Sequence, residues 1–158
     1  MSPMQRFELS LQHCAKLCLE LSQSSARVRA KTIDAAWVHS LADDEVQKDM
    51  VVAYISRFGR FQDALADSLI PKWLEANDEK ISTAAENFSK AAKLGIIADV
   101  DELRAARLLK NKLTHEYIDD AEEFAALLRA SFEYVPMLTD CFNRISGFAA
   151  RQMGIQNK

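Results

Sequence analysis

The chain has 158 residues, 49% of them apolar and 27% charged, with a formal net charge of −3. That length supports one domain with a real core, and that charge supplies no global field to attract nucleic acid. Four glycines and three prolines are too few for the many turns of a β-rich fold. No apolar run approaches the roughly 20 residues of a membrane span. Residues 1–6 are not followed by the unbroken apolar core of a signal peptide. The expectation is a single all-α domain over residues 1–158, cytoplasmic and away from membranes.

The spacing predicts a first helix over 4–24, with Phe7, Leu11, Cys14, Leu17, Cys18 and Leu21 as its apolar stripe. Ser22 to Ser25 weaken its end, and a shorter segment follows around 33–41. Ala42-Asp43-Asp44-Glu45 reads as an acidic helix start facing the positive end of the helix dipole. The next helix covers 44–69, with Val51, Tyr54, Ile55, Phe58, Phe61, Leu65 and Leu69 on its buried face. Pro71 limits it, because proline lacks an N–H and clashes with the preceding turn. An extension through Trp73 and Leu74 remains open before a break at Asn77-Asp78.

Ser82-Thr83 starts a helix that reaches Leu94 and stops at Gly95, a residue suited to a left-handed helix end. Asp99 is an N-cap for a helix over 100–116, with Glu102 placed for a capping box. The acidic block from Asp119 to Glu123 starts the last helix, 121–147 or beyond, and Pro136 is expected to bend or divide it. Phe132, Met137, Leu138, Cys141, Phe142 and Ile145 form its core stripe. Trp37 and Trp73 read as core or interface anchors. Cys14 and Cys18 read as half-buried thiols, not metal ligands, since His13 points about 100° away from Cys14. No metal or cofactor is expected.

The helix over 100–116 carries the chain's most distinctive run, Leu109-Lys110-Asn111-Lys112-Leu113-Thr114-His115-Glu116-Tyr117. On a wheel at 100° per residue, Leu103, Ala106, Leu109 and Leu113 face the core. Arg104, Leu108, Asn111 and His115 share another side. Lys110 lies towards the Leu113 edge and reaches His115 only by snorkelling or across a dimer seam. Two accounts fit this spacing. In one, His115 and Tyr117 simply finish a helix, where a His is favourable by about 0.3–1 kcal/mol. In the other, imidazole acts as general acid or base, a nearby cation holds a phosphodiester, and Asn111 orients either partner. Those parts suit RNA cleavage by the ribose 2′-hydroxyl. Arg57, Arg60, Arg104 and Arg107 are candidates to extend the contact to RNA phosphates. Gly59 inside a helix costs about 1 kcal/mol against Ala and suggests a close helix crossing, and Asp63 is placed to pair with an arginine at 57 or 60.

Lys110-Asn111-Lys112-Leu113-Thr114-His115-Glu116-Tyr117 resembles the Arg-Asn-x-x-x-His-x-Tyr signature of HEPN-domain proteins. That family includes ribonuclease toxins and the substrate-binding proteins encoded beside minimal nucleotidyltransferases. Residues 54–63 resemble the family's earlier helix, and Ala92-Lys93-Leu94-Gly95-Ile96-Ile97 its turn before the motif helix, so the likeness covers roughly 50–145. The resemblance implies an antiparallel bundle of four to five helices and a two-fold homodimer whose motifs line one cleft. It implies His115 as the catalytic imidazole, Asn111 as its polar neighbour, and Lys110 at the position of the family's Arg. Tyr117 takes the position that accepts AMP from a partner nucleotidyltransferase in some members. Lysine keeps the charge but loses the planar fork that grips phosphate. The expected function is therefore a toxin-like or substrate-binding partner of a minimal nucleotidyltransferase, with weak or absent nuclease activity. An active metal-independent endoribonuclease and a structural helical interaction protein are the alternatives. The chain has no Gly-rich phosphate loop and is not expected to be the transferase itself.

Overall fold

A computed structural model describes residues 1–115 and 119–154, with every side chain among them except those of His115 and Met153. These residues form seven α-helices and no strand. Helix α1 spans Pro3–Arg29. Its start is a capping box: Ser2 Oγ accepts from the Gln5 N–H at 3.1 Å, and Gln5 Oε1 accepts from the Ser2 N–H at 2.8 Å. The helix passes through Ser22 to Ser25, where its end was expected. Ser24 and Ser25 are buried, so tertiary packing overrides their low helix propensity.

Helix α2 (Ala35–Ser40) is capped by Asp34, which accepts from the Trp37 N–H. A 3-10 turn, Leu41–Asp43, leads to α3 (Glu45–Ala64). Trp37 Nε1 donates to Gln47 Oε1 at 2.9 Å and ties α2 to α3. Asp44 caps α3, and hydrogen bonds from the Gln47 backbone and side chain hold its carboxyl below the usual carboxylate range. A single wide π turn, Leu65–Leu69, then carries the chain into α4 (Ile70–Ala76). There the Ile70 N–H reaches back five residues to the Leu65 carbonyl. Pro71 therefore does not end the helix: the wider turn lies just ahead of it and accommodates a residue that cannot donate. Asp78, at φ 61°, makes the break after α4.

Helix α5 (Ala84–Lys93) is capped by Thr83, and Gly95, at φ +87°, turns the chain out of it. Helix α6 (Val100–His115) starts at Asp99, whose Oδ1 accepts from the N–H groups of Asp101 and Glu102. Helix α7 (Ala121–Phe148) starts at Asp120, which accepts from Glu122 and Glu123. Pro136 lies inside α7 without dividing it. A second π turn, Ala149–Met153, closes the described chain.

Four rods carry the fold: α1, the continuous α3–α4, α6 and α7. Each packs against the next, and α7 returns to α1. Neighbouring rods run antiparallel. The start of α1 meets the end of α3–α4 through Arg6 with Glu75 and Ser10 with Ser68. Asp63 and Asp67 meet Lys110 and Arg107 in reverse order. Across the diagonal, Tyr54 packs on Phe132 and Phe61 on Phe142, so α3 and α7 run parallel through the core. The buried Tyr54 hydroxyl lies 2.7 Å from Ser131 Oγ, which donates to the Leu128 carbonyl. The phenol must therefore be the donor, and burial pushes its pKa up. No helix among the described residues is long and apolar enough to cross a membrane.

Candidate functional site

Helix α6 presents two faces, as its spacing predicts. Leu103, Ala106, Leu109 and Leu113 are buried. Arg104 and Asn111 are exposed, and between them Leu108 is 66% exposed. His115 is the last residue of α6; its side chain, and Tyr117 altogether, lie outside the described residues.

Lys110 turns away from the Asn111 side. Its side chain is only 12% exposed, and Nζ donates to Asp63 Oδ1 at 2.9 Å. The aliphatic stem crosses α3 at Gly59. A Cβ on that glycine would stand 3.2 Å from Lys110 Cδ and 3.3 Å from Cγ, with Thr114 Cγ2 at 3.6 Å. The glycine is thus the gap through which the lysine reaches its partner. Asp63 was expected to hold an arginine of its own helix; its partner is Lys110. On a wheel, Asp63 lies about 40° from Gly59, on the face that meets α6, so the lysine arrives from the facing helix.

Arg107 repeats the arrangement one turn earlier. Its Nη2 lies 3.6 Å from Asp67 Oδ1, and its guanidinium stands 5.8 Å from the centre of the Phe88 ring. Arg104 pairs within its own helix, 3.6 Å from Asp101. These three cations of α6 are each matched by a carboxylate. The structure brings Lys110, Arg107, Asp63 and Asp67 into one ladder. It does not bring Arg57 and Arg60 into it. Arg57 is half-buried and lies about 160° from Gly59 on the wheel, while Arg60 is exposed and about 100° away. Asp63 and Asp67 were the partners that sequence reading missed. Their four-residue spacing matches the three-residue spacing of Arg107 and Lys110, but only once α3 and α6 are known to be antiparallel neighbours.

Two clefts flank α6. One, about 380 Å³, lies beside its C-terminal turn and is lined by Val52, Ile55, Ser56, Leu113 and Thr114. Among the described residues its walls offer apolar surface and two hydroxyls, and no cation. The other, about 320 Å³, lies between α5 and α6 and carries Lys90, Lys93 and Arg104 against Glu86. Of the thiols, Cys14 and Cys141 are pushed up to about 12, chiefly by burial, and burial also raises Cys18. None is a nucleophile near neutral pH. Cys14 is buried and Cys18 half-buried. Among the described residues no group of His, Cys, Asp or Glu side chains is arranged to hold a metal ion.

No family model, no curated protein and no solved structure matches this chain.

Proposed function

We propose that the chain is a HEPN-type protein, a toxin-like or substrate-binding partner of a minimal nucleotidyltransferase, with weak or absent ribonuclease activity. The reading rests on the order Lys110-Asn111-x-x-x-His115-x-Tyr117 at the C-terminal end of a long helix, preceded by the Leu94-Gly95-Ile96 turn, within an antiparallel bundle. The observation that carries its weak-activity part is the Lys110–Asp63 pair at 2.9 Å. The residue at the family's Arg position spends its charge on a carboxylate of the same chain. To grip a phosphodiester it would have to leave Asp63 and swing its stem off Gly59. Leu108 supports a symmetric dimer along α6, since a large apolar side chain at the centre of the motif face is covered when two copies meet there.

The test is RNA cleavage by purified protein without metal. The wild type is expected to cleave barely above background. Freeing and replacing the cation together, in Asp63→Asn with Lys110→Arg, should raise the rate by about 10²–10³, the usual weight of one charge-stabilising donor. His115→Ala in that background should abolish the gain. Strong wild-type cleavage lost in His115→Ala would replace this reading with an active endoribonuclease. Cleavage that survives His115→Ala would remove the ribonuclease chemistry altogether. Co-expression with a nucleotidyltransferase encoded beside the gene should add AMP mass to the wild type and none to Tyr117→Phe. The same adduct on the Phe variant would exclude Tyr117 as the acceptor.

A further inference from the structure

The seam between α1 and α4 holds a cleft of about 300 Å³ lined by Arg6, Leu9, Ser10, His13, Ser68 and Lys72, together with Met1. Helix α6 packs chiefly against α3 and α7, so this cleft lies on a different seam of the bundle from the α6 motif. Lys72 is half-buried, and its Nζ donates to Ser68 Oγ at 2.9 Å. Ser68 Oγ lies 2.9 Å from Ser10 Oγ, and Ser10 is only 7% exposed. Among the described residues no carboxylate lies within ion-pair distance of Lys72. Arg6 Nη2 stands 3.5 Å from Glu75. Arg6 also donates from Nη1 to the Met1 carbonyl at 2.7 Å.

Counting donors shows what this cleft lacks. The lysine ammonium has three N–H groups and uses one on Ser68. Whichever way the Ser10–Ser68 bond runs, one of the two hydroxyl protons is left over. Arg6 keeps the guanidinium donors that do not face Glu75 and Met1, and the His13 ring is exposed on the same rim. The cleft thus has surplus donors and surplus positive charge. A phosphate group has the complementary character: small, anionic and rich in acceptor oxygens. Leu9, half-exposed on the rim, offers apolar surface to whatever carries the anion.

We propose that this cleft binds a phosphate group, either as free phosphate or as the phosphate of a small phosphorylated metabolite, with Lys72, Arg6 and the Ser10–Ser68 hydroxyl pair as its ligands. The site is separate from the α6 motif and stands whether or not the chain acts on RNA.

The experiment is a titration of the ¹⁵N-labelled full chain at constant ionic strength with three probes: inorganic phosphate, ribose 5-phosphate and ribose. Saturable amide shifts at Ser10, His13, Ser68 and Lys72 are expected with both phosphates and none with ribose. Tighter binding of ribose 5-phosphate, with added shifts at Leu9, identifies a phosphorylated metabolite. Equal binding of the two identifies phosphate itself. Lys72→Gln should weaken the affinity about ten-fold or more, the usual worth of a charge-assisted hydrogen bond. Ser68→Ala should weaken it less, and Arg6→Gln supplies a second charge variant should Lys72→Gln fold poorly. The proposal is overturned if the wild type shows no saturable shift, or if Lys72→Gln and Arg6→Gln both bind phosphate as the wild type does.

Discussion

At the seam between α3 and α6, Lys110 meets Asp63 and Arg107 meets Asp67. At the seam between α1 and α4, Lys72 meets the hydroxyl of Ser68. Both seams join antiparallel rods of one bundle, but Lys110 crosses to a facing helix whereas Lys72 bonds Ser68 one turn earlier on its own rod. In the first the charge is answered by the fold, so the lysine holds two helices in register. In the second no carboxylate among the described residues answers it, and the lysine bonds a hydroxyl. Lys110 belongs to the motif that points to chemistry, yet its charge is taken. Lys72 belongs to no motif, yet no carboxylate among the described residues pairs with it.

The largest expected effect comes from closing the gap that lets Lys110 pass. Gly59→Val places branched carbons where the lysine stem runs and should cost about 1–3 kcal/mol of stability, the range for overpacking. It should also detach Lys110 from Asp63. Gly59→Ala should be much milder. Its single Cβ meets the stem at 3.2 Å, but the helix gains about 1 kcal/mol in propensity. Urea midpoints of the three proteins check this. A Gly59→Val midpoint equal to wild type would mean that the stem does not occupy the gap.

The paired substitutions Lys110→Met and Lys72→Met then separate the seams. Methionine preserves most of each stem, so packing is nearly constant. Lys110→Met removes an ion pair whose Asp63 side is 52% exposed, and should cost up to about 1 kcal/mol. A double-mutant cycle with Asp63→Asn should recover that coupling and show it shrinking in high salt. Lys72→Met removes a hydrogen bond but also a surplus charge beside Arg6, and should stay within about 0.5 kcal/mol of wild type. Equal losses in the two variants would erase the distinction between the seams.

How much of this was legible in the sequence depends on the range of the interaction. Short-range features were readable. Asp99, Asp120 and Thr83 cap where polar residues precede apolar periodicity, Gly95 takes positive φ, and Leu103 to Leu113 bury as their spacing dictates. Features fixed by contacts between distant segments were not. Ser24 and Ser25 are buried within α1, although serines there look like a helix end. Pro71 is compatible with a stop or with an extension through Trp73 and Leu74, and Pro136 with a bend or a division; the chain passes the first by widening a turn and carries α7 undivided past the second. The partner of Asp63 lies 47 residues away, so nearby arginines looked like better matches. On α6 the buried face was legible in the spacing, and the direction Lys110 takes was not.

The pH dependence of stability distinguishes the two seams once more. Helices α3 and α6 contain no cysteine, whereas α1 contains Cys14. Burial is the main cause that pushes the Cys14 thiol from an ordinary value of 9.0 to about 12; Cys18 and Cys141 push the same way and Lys72 opposes them. A raised thiol pKa means that the folded chain holds its proton where the unfolded chain releases it. The associated stability is fully present below pH 9 and is lost progressively as pH rises from about 9 to about 12. Cys141, also raised to about 12, falls in the same window. Urea midpoints measured between pH 8 and pH 10.5 should therefore decline with a slope that becomes shallower in Cys14→Ala, even if that variant is less stable at every pH. The α3–α6 seam holds no such thiol, so the Lys110–Asp63 double-mutant coupling measured alongside should not inherit that change of slope. An alkaline slope identical in wild type and Cys14→Ala would show that the thiol is not shielded on α1.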